Sequence, residues 1–184
     1  MSETSQSNKY TLVVFCYRGE EELLPMTLRR AKEAIPNVSI HLFDDSIDPL
    51  RPKTVDLLKK NLNCSYEITT FDRKVNLNGK ECILGELDCM RRSMDADGNT
   101  DGYVIKIDPD TLILRFNLVQ EAIENGAKWV SNSSTKGHFA GMFYTMHRSI
   151  LETVIRNAKV CEFPEHCAED ETIGSLCYIA AAQG

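Results

Sequence analysis

Several features that would place this chain in a particular class are missing from it. It has no apolar run long enough to cross a bilayer, and residues 1–9 lack the basic start and apolar stretch of a secretory signal. It has no long basic block either, and 27 acids against 21 lysines and arginines give a net charge of -6. Because duplex-tracking proteins carry a basic stripe, we expect no nucleic-acid partner. These absences predict a cytoplasmic protein with no transmembrane segment, a disordered tail over 1–9 and a single domain over 10–184.

The seven cysteines show no pattern of disulfides or metal binding. Their number is odd and most lie within apolar stretches, which is typical of reduced, buried thiols. One compact group, Cys161, His166 and Cys167, would still need a fourth ligand to hold a structural zinc ion. The sequence therefore predicts buried free thiols.

Short apolar segments alternate with amphipathic ones over the first two thirds of the chain. The continuous apolar run 11–16 is typical of a strand covered on both faces, whereas apolar residues recur at helical spacing over 20–35. The predicted strands are 11–16, 38–43, 64–70, 103–107, 128–131 and 142–146, and the predicted helices are 20–35, 52–62, 80–94, 117–125, 149–158 and 169–181. This alternation predicts an α/β fold with a mainly parallel sheet flanked by helices.

Polar residues follow four of the predicted strands. Ligands of open α/β sheets bind beyond the carboxyl ends of the strands, so we expect these residues to share one rim. They are Tyr17 and Arg18, Asp44 and Asp45, Arg73 and Lys74, and Asp108 and Asp110, with Lys80 a few residues further on. For Arg73 and Lys80 the ordinary alternative is a solvated surface cation.

Asp108 and Asp110 flank Pro109 directly after a strand. Residues i and i+2 of an extended chain point the same way, so their carboxylates would repel each other without a cation between them. A hard divalent cation prefers such oxygen ligands, and a diphosphate could complete its shell. The alternative is a simple acidic turn.

Two further acidic segments each allow two interpretations. Asp44 and Asp45 either bond a base or ribose or serve as ordinary turn formers. The run 169–171, Glu-Asp-Glu, either supplies a catalytic base or complements the dipole at the start of the last helix.

The segments around these acids resemble those of the GT-A glycosyltransferases. The segment 105–111, with Asp108-Pro109-Asp110, is similar to the Asp-x-Asp motif of that fold. The segments 43–48 and 76–80 resemble bacterial family 2 enzymes, whereas 137–144 and 169–174 resemble the beta-1,3-galactosyltransferase and fringe-like families.

The resemblance implies a fold, a reaction and a set of roles. It implies a metal-dependent transferase that moves a sugar from a nucleotide diphosphate sugar, a UDP-sugar above all, to a hydroxyl of an unknown acceptor with inversion. Asp108 and Asp110 would hold Mn²⁺ or Mg²⁺, and Asp170 would be the base. The nucleotide sugar would contact Tyr17, Arg18, Asp44, Asp45, Arg73, Lys80 and Asp108.

Other classes of protein compete with this one. All four histidines precede the Glu-Asp pair, and the chain ends soon after the last helix, which favours a catalytically inactive GT-A-derived domain that binds a nucleotide or a partner. A sugar-phosphate nucleotidyltransferase would carry more glycines after the first strand. A haloacid dehalogenase phosphatase would carry its Asp-x-Asp there, where Cys16 and Tyr17 stand instead.

Overall fold

The computed structural model of the chain describes residues 9–71, 79–133, 139–163 and 169–183. Its strands are β1 (Tyr10–Cys16), β2 (Ser39–Asp44), β3 (Ser65–Ile68), β4 (Tyr103–Ile107), β5 (Trp129–Ser133) and β6 (Phe139–His147). Its helices are α1 (Leu24–Ala34), α2 (Pro52–Leu62), α3 (Gly79–Ala96), α4 (Asn117–Glu124), α5 (Arg148–Val160) and α6 (Glu169–Ala182), and a short 3-10 helix spans Arg18–Glu20.

All six strands belong to one sheet, in the order β3-β2-β1-β4-β6-β5. The pairs β1 with β2, β1 with β4 and β2 with β3 are parallel. The pairs β4 with β6 and β5 with β6 are antiparallel. The prediction of a mainly parallel sheet in an α/β fold is therefore confirmed, with an antiparallel extension on one side.

Helices cover both faces of this sheet. Alternate residues of β1 point to opposite faces, so Leu12 and Val14 pack with apolar residues of α1, α2 and α4, whereas Val13 and Phe15 pack with those of α3, α5 and α6. Because both faces of β1 are buried, its sequence is a nearly continuous apolar run rather than an alternating one.

Several predicted boundaries shift in the structure. The predicted helix over 20–35 begins only at Leu24, so Pro25 lies in its first turn, where a missing amide hydrogen is harmless. The polar loop predicted over 132–141 is shorter than expected, because β5 extends to Ser133 and β6 begins at Phe139. The predicted end of α4 is confirmed: Gly126 has a φ of 91° and donates to the carbonyl of Ile123 at 3.0 Å.

The cysteines that the structure describes are free thiols, and four of them, Cys16, Cys64, Cys89 and Cys177, are buried. Burial raises the pKa of Cys89 and that of Cys177 to about 12, so both stay protonated near neutral pH. The prediction of buried free thiols is confirmed for these four. His166 and Cys167 lie outside the described residues.

A polar cluster ties the elements together at the edge where the parallel strands begin. The His41 ring contacts Asp97 Oδ1 through Nε2 at 2.9 Å and Ser65 Oγ through Nδ1 at 2.8 Å. The other oxygen of Asp97 accepts from the Thr11 hydroxyl at 2.6 Å. This cluster fixes the end of α3 against β1 and β2, at the edge opposite the carboxyl ends.

Among the described residues, no helix is both long and apolar enough to cross a membrane.

Candidate functional site

The turn after β4 presents two carboxylates at the carboxyl edge of the sheet. The amide of Asp108 donates to the carbonyl of Met142 at 3.0 Å, and the amide of Thr111 closes the turn on the carbonyl of Asp108 at 3.0 Å. The Asp108 side chain is 31% exposed, and Asp110 is exposed. The turn is therefore anchored through its backbone, and its carboxylates are open to a ligand.

A buried lysine lies directly below this turn. Lys106 in β4 has a side chain that is 3% exposed, and its Nζ is 2.6 Å from Asp108 Oδ1 and 3.9 Å from Glu169 Oε2. Burial acts to lower the pKa of Lys106, but the carboxylates of Glu169, Asp108 and Glu86 outweigh it and raise that pKa above its ordinary value. Lys106 is therefore a buried cation next to Asp108.

Tyr144 of β6 connects the same cluster to α6. Its hydroxyl donates to Glu169 Oε1 at 3.2 Å, and Lys106 Nζ lies 5.6 Å from its ring centroid. Burial, and next the charge of Glu169, raise the pKa of Tyr144 well above its ordinary value. Glu169 is the first residue of α6, so the start of this helix is held close to the turn after β4.

The loops after β1 and β2 are joined to each other. The amide of Asp45 donates to the carbonyl of Cys16 at 2.9 Å, and the amide of Arg18 donates to the carbonyl of Asp48 at 2.9 Å. The Arg18 side chain also donates through Nε to the carbonyl of Pro49 at 3.1 Å, while more than half of it stays exposed. These two loops form one wall of the rim, with the exposed ring of Tyr17 on it.

Asp44 and Asp45, adjacent in sequence, are both buried within this wall. Asp44 Oδ2 accepts from the Leu50 amide at 2.7 Å and from the Tyr66 hydroxyl at 2.5 Å. Burial raises the pKa of Asp44 above its ordinary value. The Asp44 carboxylate thus holds the loop to β3.

Only one oxygen of the Asp45 carboxylate accepts hydrogen bonds from the described residues. Its Oδ1 accepts from the amides of Ile47 at 2.7 Å and Asp48 at 3.0 Å, which is the turn-forming role expected of an aspartate here. Its Oδ2 is buried and has no hydrogen-bond partner among the described residues. Since a buried acceptor without a donor is costly, this oxygen is the better candidate of the pair for a ligand.

The remaining predicted residues have different surroundings. The Lys80 amine donates to the carbonyls of Lys159 at 2.7 Å and Cys161 at 3.0 Å, so it caps the end of α5 in this structure. Asp170 lies in the first turn of α6, next to Glu169. Arg73 and Lys74 lie outside the described residues.

The strand order places this wall beside the turn after β4. Because β1 pairs with both β2 and β4, the loops after β1 and β2 lie beside the turn after β4, at the point where the strand order reverses. This is the position at which open α/β sheets bind ligands. Tyr17, Arg18 and Asp45 therefore lie on one side of the crevice, and Asp108 and Asp110 on the other.

The donor set at this rim suits one kind of metal ion. Among the described residues, no three His, Cys, Asp or Glu side chains gather closely enough to hold a metal by themselves. Hard divalent cations such as Mg²⁺ are commonly held by one or two carboxylates together with water and substrate phosphates. Asp108 and Asp110 fit that pattern, in which a diphosphate supplies the remaining oxygens.

The fold is that of the GT-A nucleotide-sugar transferases, as comparison with solved structures shows. TarS 1-349 from S. aureus, solved also with UDP-GlcNAc, aligns with a TM-score of 0.61 and 14% identity over 94% of this chain and 56% of its own. The mannosyltransferase PcManGT from Pyrobaculum calidifontis, in complex with GDP-Man and Mn2+, aligns with a TM-score of 0.55 and 16% identity over 91% of this chain and 51% of its own.

The likeness lies in the fold rather than in the sequence. No protein-family model and no curated protein sequence matches the chain. The chain spans about half the length of the two solved proteins just described.

Lys106 and Tyr144 are site residues that the sequence analysis did not identify. One signal was available: Lys106 interrupts an apolar strand between Ile105 and Ile107 and, two residues before Asp108, faces the same side of the sheet. A charge in such a strand needs a partner. Nothing in the sequence pairs Lys106 with Tyr144, because that contact depends on the register of β4 against β6.

Proposed function

We propose that the protein is a metal-dependent glycosyltransferase that transfers a sugar from a nucleotide diphosphate sugar, with a UDP-sugar favoured, to an acceptor hydroxyl with inversion. The observation that supports this most is the open pair Asp108 and Asp110 at the carboxyl end of β4, across from the loops after β1 and β2 on a GT-A fold. The solved neighbours include one complex with UDP-GlcNAc and one with GDP-Man and Mn2+, and both agree with this reaction class.

The chain's own residues divide the work between donor and acceptor. Asp108 and Asp110 would hold Mn²⁺ or Mg²⁺, which when bound supplies positive charge against the leaving diphosphate. Asp45 would accept a hydrogen bond from the nucleoside through its Oδ2. Asp170, at the start of α6, would take the proton from the acceptor hydroxyl as the general base.

Four other residues are proposed for the donor subsite. Tyr17 and Arg18 lie on the wall facing the aspartates, where the ring can cover the nucleotide and the guanidinium can reach a phosphate. Arg73 is proposed for the same role. Lys80 could join them only by leaving the two carbonyls at the end of α5. We propose that Asp44 acts on the donor indirectly, by fixing the loop that carries Asp45.

A second function has one specific observation in its favour. Asp108 is already paired with Lys106 at 2.6 Å, so the aspartate pair is partly neutralised without any metal. This favours the alternative of a catalytically inactive GT-A-derived domain that binds a nucleotide without turning it over. The glycosyltransferase and this inactive domain would both bind a nucleotide, but only the glycosyltransferase would transfer a sugar.

The test begins with calorimetric titration of UDP and GDP, with and without Mn²⁺, into the wild type and the Asp110→Asn variant. We expect metal-dependent binding in the wild type and its loss in the variant. Asp56→Asn is the matched control, since Asp56 is another exposed aspartate, on α2, and the variant should bind as the wild type does. A wild type that binds neither nucleotide in either condition would contradict the transferase and favour an inactive GT-A-derived domain that binds a partner instead.

The second step separates enzyme from binding domain. We expect Asp170→Asn to retain metal-dependent nucleotide binding and to lose transfer from the donor sugar that the wild type uses. Full transfer by this variant would exclude Asp170 as the base. Nucleotide binding without transfer or donor hydrolysis by the wild type, across the common UDP- and GDP-sugars, would favour the inactive domain.

A further inference from the structure

One buried ammonium group is surrounded by carboxylates from three different elements. Lys106 comes from β4, and the acids that act on it are Asp108 after β4, Glu169 at the start of α6 and Glu86 in α3. Lys106 and Glu86 are almost fully buried, with exposures of 3% and 1%. Two of these carboxylates lie close to the ammonium group, Asp108 Oδ1 at 2.6 Å and Glu169 Oε2 at 3.9 Å, and a buried charge of this kind depends strongly on its partners.

We propose that Lys106 is a positioning residue that acts as the internal counter-ion of the aspartate pair and joins it to the first turn of α6. The proposal deepens the proposed function and rests on it where the metal is concerned. It makes two separate claims: that Lys106 weakens metal binding in the absence of nucleotide, and that Lys106 holds the start of α6 near Asp108.

The first claim follows from charge. A divalent cation that approaches Asp108 meets a carboxylate whose Oδ1 is already 2.6 Å from an ammonium group, so part of the attraction is cancelled. The described residues offer no third side chain to compensate. A nucleotide diphosphate brings additional oxygens and negative charge, so metal and nucleotide should bind strongly only together.

The second claim follows from the contacts of Glu169. This residue begins α6, and its two oxygens face Lys106 at 3.9 Å and the Tyr144 hydroxyl at 3.2 Å. Both partners are buried in adjacent strands of the sheet. Because Asp170 is the next residue along α6, the same contacts would hold its backbone near the candidate metal site.

Lys106→Met tests the first claim, since methionine keeps an unbranched side chain and removes the charge. We expect the variant to bind Mn²⁺ without nucleotide about tenfold more tightly than the wild type, in line with removal of a like charge within ~4–6 Å of the ligand. The affinity is read from the free Mn²⁺ signal by electron paramagnetic resonance. Adding Asp110→Asn to Lys106→Met should abolish the gain. Equal Mn²⁺ affinity in Lys106→Met and the wild type would overturn the claim.

Glu169→Gln tests the second claim and does not require Lys106→Met to fold. We expect amide hydrogen exchange over 169–173 to accelerate about tenfold, with little change in α5. Asp97→Asn is the matched control, because it breaks a comparably buried pair, that with His41, at the opposite edge of the sheet. Unchanged exchange over 169–173 in Glu169→Gln, or the same acceleration in Asp97→Asn, would overturn the claim.

These readouts separate the inference from the proposed function. Tighter Mn²⁺ binding in Lys106→Met, with no nucleotide bound by any variant, would support the counter-ion and contradict the transferase. Nucleotide binding by the wild type, with neither predicted effect in Lys106→Met and Glu169→Gln, would support the transferase and contradict the counter-ion.

Discussion

The loop after β2 and the turn after β4 each carry two aspartates, yet the two pairs have opposite surroundings. Asp44 and Asp45 are buried, and their oxygens accept from backbone amides and from the Tyr66 hydroxyl. Asp108 is partly exposed and Asp110 is exposed, and the turn is held by backbone bonds instead. The first pair builds its loop. In the second pair Asp108 contacts the buried Lys106, whereas no hydrogen bond or ion pair joins Asp110 to another described residue.

This difference gives a criterion for separating structural from functional carboxylates. A carboxylate whose oxygens are bonded to nearby amides is part of the structure, and its removal should cost stability. A carboxylate on an independently anchored turn can be removed at little cost, so its presence there points to a ligand. Substitutions in the two regions should therefore affect different measurements.

The largest loss of stability is expected for Asp44→Ala. The variant leaves the Leu50 amide and the Tyr66 hydroxyl without their acceptor in a buried place, which costs about 3 kcal/mol of unfolding free energy. Tyr66→Phe removes only one donor and should cost about 1 kcal/mol. Both values are measured by urea denaturation. A loss below that of Tyr66→Phe would show that Asp44 is not a structural carboxylate.

An intermediate loss of stability is expected for Glu21→Gln. This variant breaks the hydrogen bonds that join the start of α2 to the segment after β1. Glu21 is 5% exposed and accepts from the Arg51 amide at 3.0 Å and the Arg51 Nε at 2.5 Å. We expect a loss of about 1–3 kcal/mol at pH 7, as for hydrogen bonds that involve charged groups.

The effect of Glu21→Gln should also depend on pH in a defined direction. Hydrogen bonds from Thr54 and Arg51 lower the pKa of Glu21 in the folded state. The stabilisation by Glu21 is therefore complete above the ordinary glutamate pKa of about 4.3 and is lost as the pH falls through the lowered value. Urea denaturation from pH 7 to pH 3 should show the gap between variant and wild type closing. A gap that widens on acidification would contradict this assignment.

The smallest change in stability is expected for Asp110→Asn. No hydrogen bond or ion pair joins Asp110 to another described residue, so the unfolding free energy should stay within about 0.5 kcal/mol of the wild type. Thermal unfolding without metal measures this. Marked destabilisation would mean that the turn after β4 depends on its acids as the loop after β2 does, and the contrast between the two regions would fail.

The sequence predicts the parallel half of the fold better than the antiparallel half. Strand β1 and, apart from Lys106, strand β4 are mostly apolar runs, because helices cover them on both faces, and such runs differ clearly from the spaced apolar residues of amphipathic helices. The sequence did not predict the start of β6 at Phe139, because the polar residues of 132–141 indicate a loop. The 3-10 helix Arg18–Glu20 was also missed, because three residues are too few to show a period.

The candidate site was predictable as a location and less so as a set of interactions. The rule that ligands bind beyond the carboxyl ends of strands identifies the rim, and it places Asp108 and Asp110 there. The bonds that engage Asp44 and Lys80 come from residues 6 to 81 positions away, and no local pattern predicts them. The roles of all the candidate site residues, Arg73 and Asp170 included, remain predictions.

The buried Lys106 also restricts the order in which this site can change over evolution. Losing the lysine first leaves buried acids without their counter-ion, whereas losing Glu169 or Glu86 first leaves an ammonium group that still has Asp108. Descendants that lack the lysine are thus expected to have replaced an acid of α3 or α6 beforehand. Homologues of this chain would record that order of substitutions, and a homologue that lacks the lysine but keeps all three acids would contradict it.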